Sequence, residues 1–358
     1  MNTRFEEGLF LVSAARFQGE RTSQAIVHLL RGRQNNQVVA DAALFGTSML
    51  YGVMRELPVE EVRRKLDRLI ERGWIRVPSD AKEGVFCSDA GKAELAACEA
   101  LFRYEACLSA VASVHEKARA VRFWKKLSLL VQTTSYLAAG ETLFYPVIEH
   151  RELQQEVKRV IKSIGDPPRL AVRLKEELAR WMRELTEEEQ QLILRRLSGK
   201  ARAGWTYRQL ADASHTAEGA AALHLLRLAA EQLERIEAGP YPLLRQIAEQ
   251  NAKEAGLTRT AQQTKALLDQ GCSFEEIVRR RALRPGTIED HLVEIAIADP
   301  AFDIQPFVSR EKMERVHAIM RESGMKKIGE IRREAGESYS FLEIRLASVR
   351  AAQGGERP

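Results

Sequence analysis

Four cysteines in 358 residues, none in a C-x-x-C pair, leave this chain without the pattern of a disulfide framework or a thiolate zinc site. Cys87, Cys98, Cys107 and Cys272 read as the reduced thiols of a cytoplasmic protein. Long apolar runs are lacking too. The longest apolar helix, near residues 127–139, is interrupted by Gln132, Thr133, Thr134 and Ser135. It falls short of the ~18 apolar residues that a membrane span needs, so no membrane partner is expected. The opening apolar run, residues 9–12, is too short for a signal peptide.

Reactive motifs are also missing. His28, His115, His150, His215, His224, His291 and His317 are scattered, and none stands in H-E-x-x-H. There is no G-x-x-x-x-G-K-[ST], no G-x-G-x-x-G after a strand and no G-x-S-x-G turn. These absences argue against a P-loop ATPase, a dinucleotide enzyme and a serine hydrolase. No catalytic set, metal or cofactor is expected, and the chain reads as a non-enzyme. His28 and His291 sit in apolar helical segments and read as buried, satisfied side chains. Net charge offers no shortcut, because 55 basic against 50 acidic residues permits nucleic-acid contact without demanding it.

What is present is helical periodicity. The fold expected is mainly α and multi-domain: an N-terminal winged helix with a small β hairpin, a helical middle and a C-terminal helix-turn-helix bundle. Stops at Gly165-Asp166-Pro167-Pro168, at Gly239-Pro240 and near Gly256 divide it into residues 1–100, 101–185, 186–255 and 256–358. The positive excess falls in the second part, with 15 basic against 10 acidic residues.

In the first part, Pro58 suits the first position of a helix whose first turn carries Glu60 and Glu61. Val59, Val62, Leu66, Leu69 and Ile70 make its apolar face. Gly73 stops it, and residues 74–77 and 85–88 read as a hairpin around a loop at 78–84. Arg64, Lys65, Arg68 and Arg72 form a stripe beside the apolar face, either along phosphates or as a solvated face interleaved with acids. In the middle, Arg119, Arg122 and Lys126 share a helix face next to Phe123 and Trp124. That pattern suits single-stranded nucleic acid, or aromatic core anchors beside solvated bases. Thr186 with Glu189 is a capping box, residues 206–211 look like the first helix of another helix-turn-helix, and the segment through residue 233 reads as helical scaffold or partner surface.

Residues 271–307 carry a helix-turn-helix layout. Ser273 and Glu276 form a capping box, and a helix follows through Arg281. Ala282-Leu283-Arg284 makes the turn, and Pro285 opens the second helix. With Ile288, Leu292 and Ile295 inward, Gly286, Asp290 and Glu294 face out, Glu289 to one side. A base-reading helix normally presents Arg, Lys, Asn or Gln. The acidic face therefore leaves two readings: Arg279, Arg280, Arg281 and Arg284 grip backbone, or the acids dock a basic protein.

Four stretches carry a resemblance to known families. Residues 264–308, TKALLDQGCSFEEIVRRRALRPGTIEDHLVEIAIADPAFDIQPFV, resemble the helicase-type helix-turn-helix domain that ends many RecQ-type DNA helicases. The later KKIGEIRREAGESYSFLEIRLASVRA resembles that domain's ending. ERTSQAIVHLLRGRQNNQVVADAALFG and FWKKLSLLVQTTSYLAAGETLFYPV are similar to YpbB-like proteins of Bacillus-type bacteria. Where a Thr-Ile-Gln-Asp run is usual, Val38-Val39-Ala40-Asp41 stands here. Such proteins are encoded beside RecS, a short RecQ-type helicase. The resemblance implies a stand-alone accessory that supplies a helicase with a domain it lacks, and nothing in the family pattern carries an ATPase.

The function expected is that of a non-catalytic adaptor for a RecQ-type helicase in DNA repair or replication. It would be cytoplasmic and nucleoid-associated, with weak, mostly sequence-independent DNA affinity. Backbone contact is expected from Arg64, Arg68, Arg119, Arg122, Lys126, Arg279, Arg280 and Arg284. Partner docking is expected from Asp290, Glu294, Tyr339, Phe341 and Arg345, with Ser340 and Glu343 capping the helix that presents the last three. The alternatives are a sequence-specific winged-helix transcription regulator and a protein–protein scaffold without DNA affinity.

Overall fold

A computed structural model describes residues 1–78, 84–249, 257–324 and 327–354. Residues 79–83 of the expected wing loop and the boundary near Gly256 lie outside them. The described residues hold nineteen α-helices and one two-stranded sheet, as a mainly α fold requires.

The chain opens with α1 (Asn2–Phe17), α2 (Ser23–Arg31) and α3 (Asn36–Leu44). Gly32, at φ 64°, ends α2 in the left-handed conformation that glycine adopts without strain. The Asn35 side chain caps α3 by accepting from the Gln37 N–H at 2.8 Å. A 3-10 turn (Ser48–Leu50) leads to α4 (Val59–Glu71), whose buried stripe is Val62, Leu66 and Leu69. Pro58 stands at its N-cap, one residue before the expected position. Strands β1 (Ile75–Arg76) and β2 (Phe86–Cys87) pair antiparallel, Ile75 with Cys87 and Arg76 with Phe86. Each expected strand is present, trimmed at both ends. Helices α5 (Asp89–Phe102) and α6 (Tyr104–Leu108) follow.

The middle comprises α7 (Val114–Ala138), α8 (Arg151–Ile164), α9 (Pro167–Met182), α10 (Glu187–Arg196), α11 (Tyr207–Ala213), α12 (Glu218–Ala238) and α13 (Pro242–Glu249). Gly165 and Pro167 separate α8 from α9, and the Thr186–Glu189 capping box starts α10. The last part holds α14 (Arg259–Asp269), α15 (Phe274–Arg281), α16 (Pro285–Ala298), α17 (Arg310–Ser323), α18 (Ile328–Ala335) and α19 (Phe341–Gly354). The Ser273–Glu276 capping box and Pro285 at the first turn of α16 are both present.

Contacts group the chain into two compact units. One comprises Met1–Glu6 and Lys117–Ala255, the other Glu7–Glu116 and Gly256–Pro358. In the first, α8, α9 and α13 pack on one another and α12 packs on α10, α11 and α13, with Trp181 fully buried. In the second, α3 packs on α16 and α19, so residues some 250 positions apart share a core. Val293, Ala296, Ile297, Ile304, Leu346 and Val349 are buried there, with Val39, Ala40 and Ala43 of α3 packed against them. Val39 and Ala40, two of the three positions where the chain departs from the run that the resemblance leads one to expect, serve packing here.

Candidate nucleic-acid interface

Helix α16 is where a base reader would lie, but most of it is enclosed. Ile288, His291, Leu292, Val293, Glu294, Ile295, Ala296 and Ile297 are all buried. The helix packs on α14, α15, α19 and α3. From His291 to Ile297 the helix is enclosed as a core element is, and only its first turns, at Pro285, Gly286, Glu289 and Asp290, reach solvent. Of the acidic outer face expected from the sequence, Gly286 and Asp290 do reach solvent, and the place of Glu294 is corrected. Glu294 is 4% exposed. It accepts hydrogen bonds from the N–H of Thr258 and, at 3.1 Å, from the Thr258 hydroxyl. Burial pushes its carboxyl above the usual range, against those hydrogen bonds. Asp290 forms an ion pair with Arg345 at 2.8 Å. Both expected acids of the docking set are thus occupied within the unit.

The rest of that set divides. Tyr339 is half-buried, with the Lys312 ammonium 5.1 Å from its ring centroid, and its carbonyl accepts from Arg332 Nε at 2.9 Å. Phe341 is 51% exposed, and the Arg332 guanidinium stacks 4.6 Å from its ring. Ser340 and Glu343 cap α19 reciprocally, at 2.7 and 3.1 Å.

The turn between α15 and α16 keeps its positive charge in solvent. Arg279, Arg280 and Arg284 are exposed. Arg281 turns inward and donates to the Thr260 carbonyl, to the Thr264 hydroxyl and, at 2.8 Å, to Gln263 Oε1. His291 is buried and its Nδ1 lies 2.9 Å from Thr264 Oγ1, a satisfied core histidine.

On α4, Arg63, Arg64 and Arg68 are exposed and in no ion pair among the described residues. Arg64 Nε reaches its own helix at the Glu60 carbonyl, 3.4 Å away. The other two cations of the expected stripe have partners. Lys65 lies 3.8 Å from Glu61, and Arg72 lies 2.7 Å from Glu7 and over the Trp74 ring.

The middle basic face is corrected. Arg119 pairs with Glu237, and Arg122 bridges Glu152 and Glu156. Lys126 is 1% exposed, with Nζ 3.3 Å from Glu156. Burial pushes its ammonium below the usual lysine range, while Glu156 opposes. Phe123 and Trp124 are core residues. The three cations do share a face, but α8 and α12 supply carboxylates to it. Periodicity shows which face a residue occupies and not what covers that face.

A feature missed in the sequence lies between α7 and α8. Leu143 is 91% and Tyr145 97% exposed, while Phe144 between them stacks on Tyr136 at 4.6 Å. Gln132 fixes this extended segment, donating to the Tyr145 carbonyl at 3.0 Å and accepting from the Val147 N–H at 2.9 Å. The alternation was visible as Leu143-Phe144-Tyr145 after Gly140, but with too few residues to show its direction.

Among the described residues no helix is long and apolar enough to cross a membrane, and no three metal-ligating side chains gather.

Residues 260–348 match a family described as a helix-turn-helix domain. Over 353 residues the chain is 26% identical to Protein YpbB of Bacillus subtilis (strain 168), covering 99% of each. No solved structure matches. The similarity to YpbB-like proteins expected from two stretches therefore runs end to end. A helix-turn-helix domain on a helical scaffold suggests DNA binding and fits a protein without catalysis.

Proposed function

We propose that this protein is a non-catalytic DNA-binding accessory of a RecQ-type, RecS-like helicase, acting at the nucleoid in DNA repair or replication. One observation carries the reading. The helix that would read base edges is buried from His291 to Ile297 and shows solvent only its first turns, with Glu289 and Asp290, whereas Arg64, Arg68, Arg279, Arg280 and Arg284 stand in solvent. Arginines so placed reach phosphates, which position a protein on DNA without reading its sequence. Affinity is then modest, sequence-independent and steeply dependent on salt. The helicase partner is supported by the likeness of residues 264–308 and 326–351 to the domain that ends many RecQ-type helicases. Leu143 and Tyr145, with Phe341, are the apolar side chains offered to that partner.

The test is co-purification of the full chain with the cell's own RecQ-type helicase, with and without nuclease. A nuclease-resistant complex is expected, and its absence sinks the helicase assignment. A shift assay on random oligonucleotides tests the DNA assignment separately. A specific site preferred by ~10³ or more would instead favour a transcription regulator.

A further inference from the structure

Positive charge also gathers at the C-terminal end of α2, beside the face of α4 that carries Arg64 and Arg68. A cavity of about 520 Å³ is lined by Arg31, Arg33, Arg55 and Arg63 with Gln24 and His28, and no acidic residue lines it. None of the four arginines has an ion pair among the described residues.

The backbone builds this cavity deliberately. Gly32 and Gly52, at φ 64° and 75°, face each other so closely that a Cβ on Gly32 would lie 2.8 Å from the Gly52 Cα. That approach lets the Gly52 N–H bond the Leu29 carbonyl at 2.9 Å and the Met54 N–H the Leu30 carbonyl at 2.8 Å. Arg31 donates to the carbonyls of Met54, Arg55 and Leu57, neutral acceptors that leave its charge uncompensated. Arg63 Nη2 donates to Gln24 Oε1 at 3.2 Å. Gln24 Nε2 and Arg33 Nη1 each lie 2.8 Å from His28 Nε2. That nitrogen accepts, so the ring is neutral with its proton on Nδ1. Burial, then Arg33 and Arg63, holds its pKa below the usual histidine range. Like charges converging this closely repel one another, and a bound anion relieves the repulsion.

A second cavity of about 420 Å³ adjoins it and shares Gln24, His28 and Arg33. Phe17, Leu29, Val38 and Ala42 give it an apolar floor, and Asn35 and Gln37 bring amides to its rim. Its carboxylate Asp41 is held by Arg21 at 2.8 and 2.9 Å and by Gln37 at 2.7 Å; Glu20 lies at its edge.

We propose that these joined cavities take a phosphorylated end of a nucleic-acid strand, the terminal phosphate among the arginines and the terminal nucleoside on the apolar floor. The proposal rests on the DNA-binding reading and specifies which part of DNA is gripped. A phosphomonoester carries nearly two negative charges near neutral pH and three free oxygens, which suits converging guanidiniums better than a diester does. Arg63 joins the cavity to the exposed face of α4, where Arg64 and Arg68 continue along the diesters of the same strand.

The test is fluorescence anisotropy of the full chain with one oligonucleotide sequence, single-stranded and duplex. It carries a 5′-phosphate, a 3′-phosphate, or hydroxyls at both ends. One phosphorylated end is expected to bind roughly tenfold tighter than the hydroxyl form, about 1.4 kcal/mol. Arg33→Ala with Arg55→Ala removes that advantage while hydroxyl-ended binding and melting temperature persist, and Arg33→Lys with Arg55→Lys restores part of it. A deoxynucleoside monophosphate competes with the end, and inorganic phosphate competes less well. Equal affinity for all ends, or an advantage that survives in the alanine variant, overturns the end site alone. Competition by inorganic phosphate as strong as by the nucleotide overturns the nucleoside cavity. No binding to any oligonucleotide overturns both this site and the DNA-binding reading beneath it.

Discussion

The Glu294 carboxylate accepts from both the backbone N–H and the hydroxyl of Thr258, thirty-six residues earlier, and so ties α16 to the N-cap of α14. The charge that would have repelled phosphate is a structural cap. Removing it takes the acceptor from the Thr258 N–H and hydroxyl at the start of α14, so Glu294→Ala is expected to destabilise the fold by about 1 kcal/mol. Chemical denaturation measures this. The same variant leaves DNA affinity unchanged, whereas an outward-facing acid would raise it when removed.

Lys126 and Glu156 make the same point in the other unit. Both are nearly inaccessible. Glu156→Ala strands a buried ammonium and is expected to cost about 3–5 kcal/mol. Lys126→Met removes the positive charge from DNA's reach without effect on oligonucleotide affinity, as a shift assay would register. A loss of affinity at unchanged stability would restore the middle face as a contact surface.

His115 is 6% exposed, and its Nε2 has no hydrogen-bond partner among the described residues. Burial lowers its pKa from 6.5 to about 4. The unfolded chain therefore takes up the proton first as pH falls. The stability linked to this neutral ring is fully present above pH 6.5 and is lost progressively down to pH 4, about 3 kcal/mol in all. His28 and His291 are lowered as well, by burial and then by neighbouring arginines, and add to the same trend. Thermal melts at pH 7 and pH 4.5 measure the slope, and His115→Gln is expected to flatten it.

The sequence showed local structure well and enclosure poorly, and these residues explain why. Capping boxes at Thr186–Glu189 and Ser273–Glu276 are local hydrogen-bond patterns, so they were legible. So were the hairpin and the Pro285 helix start. The inward face of α16 through Ile288, Leu292 and Ile295 was also legible. Its second buried face, Val293 and Ile297, packs beside Val39 and Ala40 of α3. No helical period links positions so distant. The glycine approach that opens the arginine cavity was likewise hidden, because it joins the turns at Gly32 and Gly52 through space.

Leu143 and Tyr145 bury almost none of their surface within the chain. Leu143→Ser with Tyr145→Ser is accordingly expected to leave the melting temperature unchanged and to weaken capture of the RecQ-type helicase. Capture at wild-type strength would remove this segment from the docking surface.

On the proposed reading, DNA is held by exposed arginines on its phosphates and not read by α16. The most direct measurement is the slope of log affinity against log salt on duplex DNA. It should be taken for the wild type and for Arg64→Ala with Arg68→Ala. Two lost phosphate contacts are expected to make the slope shallower by about 1.8, and to weaken binding equally on every sequence. An unchanged slope, or a loss confined to one sequence, would contradict the account.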